Sequence, residues 1–255
     1  MGNSPSIEVT EAGPVVILKL RNTGKLNAIT EGMAGELIAA IEKYEKDDRF
    51  RVMLLGGADG NFCSGADITG FANRNTEDAL RFHLVLNRVV RTIRSCPKPV
   101  LAVLEGYSLG GGLEIAESTD IRISSTSAKI GQPEINIGIN AGAGGNVILP
   151  RLVGRGNAMY LILTGRRISA PEALRMGLVD LVFPDDQLWD EAMKIAMEIS
   201  SKPVATVQMA KMAVNNSEDM SVSAALDMEA SAFAMLFSTA ETKDRIRKFM
   251  ERERN

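Results

Sequence analysis

Histidine is almost missing from this chain. His83 stands alone among 255 residues, and there are only two cysteines, Cys63 and Cys96. These scarcities narrow the chemistry. A zinc site would have to combine one His with two distant cysteines and carboxylates. A Ser-His-Asp or Cys-His nucleophile would have to use His83. The cysteines form no CxxC pair and no disulfide framework, which suits a reducing cytoplasm. His83 falls in a helical stretch, 77–95, whose apolar stripe runs Phe82, Val85, Val89 and Ile93. It lies off that stripe, beside Asn87 and Arg94, and reads as a residue at the core boundary rather than a catalytic base.

Excess charge and long apolar runs are also wanting. Net charge is −3 with 24% charged residues, so no basic field invites nucleic acid or an anionic membrane. No uncharged apolar run approaches the roughly 18 residues that a bilayer-crossing helix needs. The N-terminus, MGNSPSIEVT, lacks a basic segment followed by an apolar one, so no secretory signal is expected. Met1-Gly2 with Ser6 meets the outline of a myristoylation pattern, but a short polar leader is the simpler reading. The expectation is a cytoplasmic protein without membrane or nucleic-acid partners.

What is present is 45% apolar and ordered in alternating blocks. Strand-like runs at 15–20, 51–57, 100–105 and 120–125 are separated by helical patterns. One of these follows Thr30 and places Met33, Leu37, Ile41 and Tyr44 on one face. Strands interleaved with helices predict an α/β architecture with working loops at the strand ends. After Asp185 the pattern changes to helices rich in Met and Ala. Residues 1–185 therefore read as the core, and 186–255 as a helical appendage that packs on the body or on a neighbouring subunit.

Three glycine-rich stretches stand out: NFCSGADITGF (61–71), SLGGGLE (108–114) and INAGAGGNVIL (139–149). None completes G-x-G-x-x-G, and no G-x-x-x-x-G-K-[ST] occurs, so phosphate-loop readings are poor. Bare backbone also serves as a hydrogen-bond donor. VLAVLEGYS (100–108) reads as a strand and then a turn, and GGGLEIAES (110–118) opens a helix, whose first N–H groups point outward. Glycines there let a carbonyl oxygen approach, which describes half of an oxyanion hole. The turn SGAD offers the Ala66 N–H as the other half. Glu114 sits about one turn into that helix. Glu134 lies in an uncharged stretch, GQPEINIG, and on these residues alone a surface-loop role is the simpler reading.

At these residues the sequence resembles the enoyl-CoA hydratase/isomerase, or crotonase, family. KLNAIT (25–30) looks like the segment that contacts the CoA adenine, which brings in Lys25, Leu26 and Ala28. FCSGADI (62–68) resembles the first oxyanion motif, with Ala66 as donor and Ser64, Asp67 and Ile68 beside it. EGYSLGGGLEIAESTDIRIS resembles the second, with Gly111 as donor, and GQPEINIG carries the second acid. LPRLVG, LTGRRISAPEALRMGLVD and PVATVQMAKMAVN continue the match in order.

The resemblance implies a crotonase (ClpP/crotonase-like) ββα-superhelix with a helical C-terminal trimerisation region. It implies a homotrimer, or a hexamer made of two trimers. The substrate would be an acyl-CoA thioester, and the reaction reversible syn hydration of a trans-2-enoyl-CoA to a 3-hydroxyacyl-CoA. Glu114 and Glu134, twenty residues apart, would activate the water and deliver the α-proton. No metal or redox cofactor is implied, because no electrons move. Coenzyme A is part of the substrate. Two departures bear on the acyl wall: Ala141 and Asn146 stand where the family usually has proline and threonine. They keep open an isomerase or a cyclic (di)enoyl-CoA hydratase on the same site. A non-catalytic acyl-CoA-binding scaffold is the reading from a different class.

Overall fold

The computed structural model describes residues 4–252, so Met1-Gly2 lies outside the described residues. Ser6–Ala12 (β1) and Val15–Arg21 (β2) pair as an antiparallel hairpin. Thr30 caps Glu31–Glu45 (α1), its hydroxyl accepting from the Met33 N–H, which satisfies one orphan donor of the first turn. The predicted face of Met33, Leu37, Ile41 and Tyr44 is buried. Val52–Gly57 (β3), Thr76–Ser95 (α2) and Val100–Leu104 (β4) follow. Tyr107–Leu109 (β5) leads straight into Gly111–Glu117 (α3), and then come Ile121–Ser125 (β6) and Lys129–Gly131 (β7). Leu149–Thr164 (α4), Arg167–Ser169 (β8), Ala170–Met176 (α5) and Leu181–Phe183 (β9) close the strand-bearing part. Helices Leu188–Ser200 (α6), Val204–Ser217 (α7), Val222–Leu236 (α8) and Ala240–Arg252 (α9) complete the described residues.

The main sheet runs β1-β2-β3-β4-β6-β9, and a smaller one runs β5-β7-β8. From β2 onward the neighbours in the main sheet are parallel. Parallel strands bury both faces under crossover helices and so read as continuous apolar runs. VMLLGG and VLAVL meet this requirement, with every residue of β3 and β4 buried. Side chains still alternate between faces. Met53, Leu55, Ala102 and Leu104 join α1 and α2 in one cluster, while Leu54, Leu101 and Val103 meet Leu188, Ala192 and Ala196 of α6 in another. Each such Leu or Val contributes about 1.5–3 kcal/mol when fully buried. The runs predicted at 15–20, 51–57, 100–105 and 120–125 are β2, β3, β4 and β6.

The helices after Leu188 divide into two groups. One is α6 alone, which seals the second face of the main sheet. The other begins with α7, anchored where Lys211 Nζ donates to Asp120 at 2.7 Å and to the Lys98 carbonyl at 3.0 Å. Beyond it, apolar side chains of α8 and α9 face outward: Val222 is 78% exposed, Phe233 63% and Phe249 65%. Among the described residues no helix is long and apolar enough to cross a membrane.

Candidate active site

Two turns at the ends of β3 and β5 are stitched together. The Cys63 N–H donates to the Tyr107 carbonyl at 2.9 Å, and the Leu109 N–H donates back to the Cys63 carbonyl at 3.0 Å. On the other side, Ile29 N–H donates to Gly65 O at 2.8 Å and Asp67 N–H to Ile29 O at 2.9 Å. This ladder uses the groups flanking Ala66 and leaves its N–H out. Gly111 is the first residue of α3, where an N–H has no acceptor within the helix. Among the described residues neither N–H donates to another backbone group. A Cβ placed on Gly111 would stand 3.5 Å from the Ala66 nitrogen, so the two donors border one small gap.

Each glycine of the triplet is bare for its own reason. Gly110 turns the chain at φ 50°, and a Cβ there would lie 2.9 Å from Glu134 Oε1. Gly111 borders the gap. Gly112 presses on Cys63, whose Cβ would be 2.6 Å from an added methyl.

The two acids reach the same place from different elements. Glu114, in the first turn of α3, is 2% exposed. Its Oε1 accepts from the Ala143 N–H at 2.7 Å and from the Gly145 N–H at 2.9 Å. Burial raises its pKa above the usual carboxylate value, while those two N–H groups favour the anion and oppose the rise. Glu134 opens a single 3₁₀ turn, Glu134–Ile137, and its Oε2 is enclosed without a partner. Burial first, reinforced by the charge of Glu114, pushes its carboxyl up to about 7. The surface-loop reading of Glu134 is thus corrected, because the carboxylate folds inward over the Gly110 turn. The environments differ: two backbone N–H groups favour the anion of Glu114 against its burial, while Glu134 Oε2 has no such donor and its carboxyl is pushed up to about 7.

Lys25, Ala28, Ser64, Ala66, Asp67, Ile68, Gly111, Glu114 and Glu134 all line one cavity of about 470 Å³. Leu26 does not; it takes a left-handed φ of 48° and stays 46% exposed. Lys25 is engaged with its own chain, its Nζ donating to Asp67 at 2.8 Å and to Thr69 Oγ1 at 3.0 Å. That ammonium, with the Thr69 hydroxyl, holds the Asp67 carboxyl down at about 2. Cys63 is a wall residue, since burial pushes its thiol up to about 11, far from a nucleophilic thiolate.

Other contributors escaped sequence reasoning. Phe71, Leu86, Ile137 and Ile139 line the cavity, and so does His83. His83 is the half-buried boundary residue expected from its place off the core stripe; what the sequence did not show is that this flank of α2 meets Gly142 and borders the cavity. Asn27, at φ 58°, anchors the Lys25–Ala28 segment by donating to Ala58 O and Asn61 O at 2.7 Å each. Glu117, 1% exposed and one turn beyond Glu114, has no polar partner for either oxygen. Burial and then the charge of Glu114 raise its pKa well above normal, against Arg122. For Asn27 the cue was its place inside KLNAIT; for Glu117 it was an acid where the helix should be apolar. Among the described residues no group of three or more His, Cys, Asp or Glu is placed to hold a metal ion.

Paired N–H donors on facing turns, with buried Glu114 and half-buried Glu134 beside them, fit an enzyme of the oxyanion-hole, acid–base class. The model of the enoyl-CoA hydratase/isomerase family matches residues 10–255. A short-chain-enoyl-CoA hydratase from Clostridium acetobutylicum is 37% identical, with 98% of this chain and 96% of that protein covered. A crotonyl-CoA hydratase from Syntrophomonas wolfei is 35% identical over 94% of this chain and 93% of its own length. Among solved structures, an enoyl-CoA hydratase from Thermoplasma volcanium superposes with a TM-score of 0.91 at 46% identity, covering 96% of this chain and 97% of the other. The chain belongs to the enoyl-CoA hydratase/isomerase family, and it adopts the crotonase fold.

Proposed function

We propose that this protein hydrates trans-2-enoyl-CoA thioesters to 3-hydroxyacyl-CoA by syn addition, and catalyses the reverse reaction. The observation that carries the reading is the convergence of Glu114 and Glu134 on one cavity beside the Ala66 and Gly111 N–H groups. The Glu114 carboxylate takes a proton from water, and the water oxygen bonds to the β-carbon. The double-bond electrons move onto the thioester oxygen, where the two N–H groups stabilise the enolate. Collapse of the enolate draws the Glu134 proton to the α-carbon. Glu114 then holds the proton that Glu134 lost, and exchange with solvent resets the pair. No electrons leave the substrate, so neither a metal nor a redox cofactor is called for. Decay of enoyl-thioester absorbance tests the reading, and mass spectrometry separates it from isomerisation: hydration adds one water, isomerisation adds nothing. A scaffold would bind the ester without turnover.

A pH profile tests the assignment of Glu134. Hydration requires its carboxyl protonated, and the folded-state value is about 7. The competent fraction falls as pH rises through that value, so kcat/KM for hydration drops about tenfold per pH unit above it. Glu134→Gln removes this limb and lowers the rate by about 10²–10⁴-fold. A limb unchanged in that variant would sink the assignment.

The outward apolar side chains of α8 and α9 support a homotrimer, alone or paired into a hexamer, with residues 186–255 as the assembling region. Light scattering is expected to return three or six times the chain mass of 27.5 kDa, and a monomer would overturn this. Free, buried Cys63 and Cys96 fit a reducing cytoplasm.

A further inference from the structure

His83 is the one strongly polar ring in the apolar part of the cavity, and the reaction just proposed has no use for it. It lines the cavity together with Phe71, Leu86, Ile137 and Ile139. Its ring stands edge-on to Phe82, with centroids 5.7 Å apart. Gly142 gives it room, since a Cβ there would fall 2.4 Å from Nδ1. Nδ1 is enclosed against that backbone with no hydrogen-bond partner. An enclosed N–H without an acceptor is rarer in folded proteins than an enclosed acceptor without a donor. With Nδ1 enclosed, Nε2 is the ring nitrogen left to meet a ligand in the cavity, and as an N–H it is a donor. The next residue after Gly142 is Ala143, whose N–H holds Glu114. His83 therefore packs against the same loop that holds Glu114, and both side chains line one cavity.

A plain hydrocarbon chain packed there would strip water from the Nε2–H and return nothing, a penalty no all-carbon wall imposes. An oxygen on the acyl chain would replace that water bond. We infer that His83 reads an oxygen function on the acyl group, so that the preferred substrates are trans-2-enoyl-CoA esters bearing a hydroxyl or carbonyl oxygen beyond the β-carbon. This rests on the enoyl-CoA reading of the site and narrows its substrate class.

The probes are pairs of trans-2-enoyl-CoA esters that differ only in a terminal hydroxyl against a methyl of similar size, with chains of four, five and six carbons before the variable group. Wild type is expected to favour the hydroxyl ester by about tenfold in kcat/KM at one length or more, the worth of one neutral hydrogen bond. In His83→Phe that ratio falls to one or below, and His83→Gln, which keeps a donor, restores part of it. Calorimetric binding of the corresponding saturated esters is measured alongside. Equal kcat/KM and equal Kd for each pair in wild type overturn the inference, as does a preference that survives in His83→Phe. Binding preference without hydration of any ester, crotonyl-CoA included, keeps the His83 assignment and overturns the hydratase reading instead.

Discussion

Glu114→Gln is expected to lower kcat for enoyl-CoA hydration by about 10²–10⁴-fold, with the folded enzyme intact. The amide matches the carboxylate in shape, and its oxygen still accepts from the Ala143 and Gly145 N–H groups that now hold Oε1 at 2.7 and 2.9 Å. What disappears is the carboxylate proposed to take a proton from the attacking water. Stability should hold or improve, because a carboxylate 2% exposed is replaced by a neutral group. A second readout follows from coupling. The charge of Glu114 is one cause of the raised Glu134 carboxyl, so in the variant the residual activity begins to fall at a lower pH than in wild type. Stopped-flow absorbance of the enoyl thioester across pH checks both. Residual activity within tenfold of wild type would remove Glu114 from the chemistry, and the two-acid mechanism with it.

This expectation rests on features of unequal visibility in the sequence. The parallel strands were plain, because runs such as VMLLGG and VLAVL are apolar throughout and have one structural explanation. The α1 face was plain as well, since Thr30 and four apolar residues at helical spacing mark both its start and its side. The three-residue strands β5, β7, β8 and β9 carried no signal, because three residues cannot display a period. Within the site, the Gly triplet with Glu114 pointed to an anion-stabilising turn on physical grounds alone. Glu134 did not: its burial depends on Gly110 folding beneath it, a contact between residues distant in sequence. The same holds for His83, whose neighbour Gly142 lies on a loop that local spacing cannot place. Lys25 reads as a free cation in a line of letters. Its pairing with Asp67 depends on the Ile29–Ala66 bridge that brings the two segments together.

Gly111→Ala is expected to separate activity from stability in the opposite way to most glycine substitutions. The backbone at Gly111 is not left-handed, and an added Cβ would meet the Ala66 nitrogen at 3.5 Å, Leu86 Cδ1 at 3.6 Å and Ala66 Cβ at 3.9 Å. All three are ordinary van der Waals contacts, so the fold accepts the methyl. Alanine also restricts the unfolded chain more than glycine, worth about 0.4–1 kcal/mol at a compatible position. Melting temperature should therefore hold or rise by a degree or two. Activity should collapse. An oxygen accepting from the Ala66 N–H needs a heavy-atom separation of about 2.9 Å, and the methyl occupies that approach. Losing one such donor costs about 10²–10³-fold in kcat, and the methyl also crowds the path to the Gly111 N–H. Gly112→Ala is the control one residue on. Its Cβ would stand 2.6 Å from both the Cβ and the carbonyl oxygen of Cys63, so that variant loses stability first and activity as a consequence. Thermal melts and kcat/KM measured on both proteins decide the matter. If Gly111→Ala melts early, or keeps its activity, the gap beside Ala66 is not where the thioester oxygen sits.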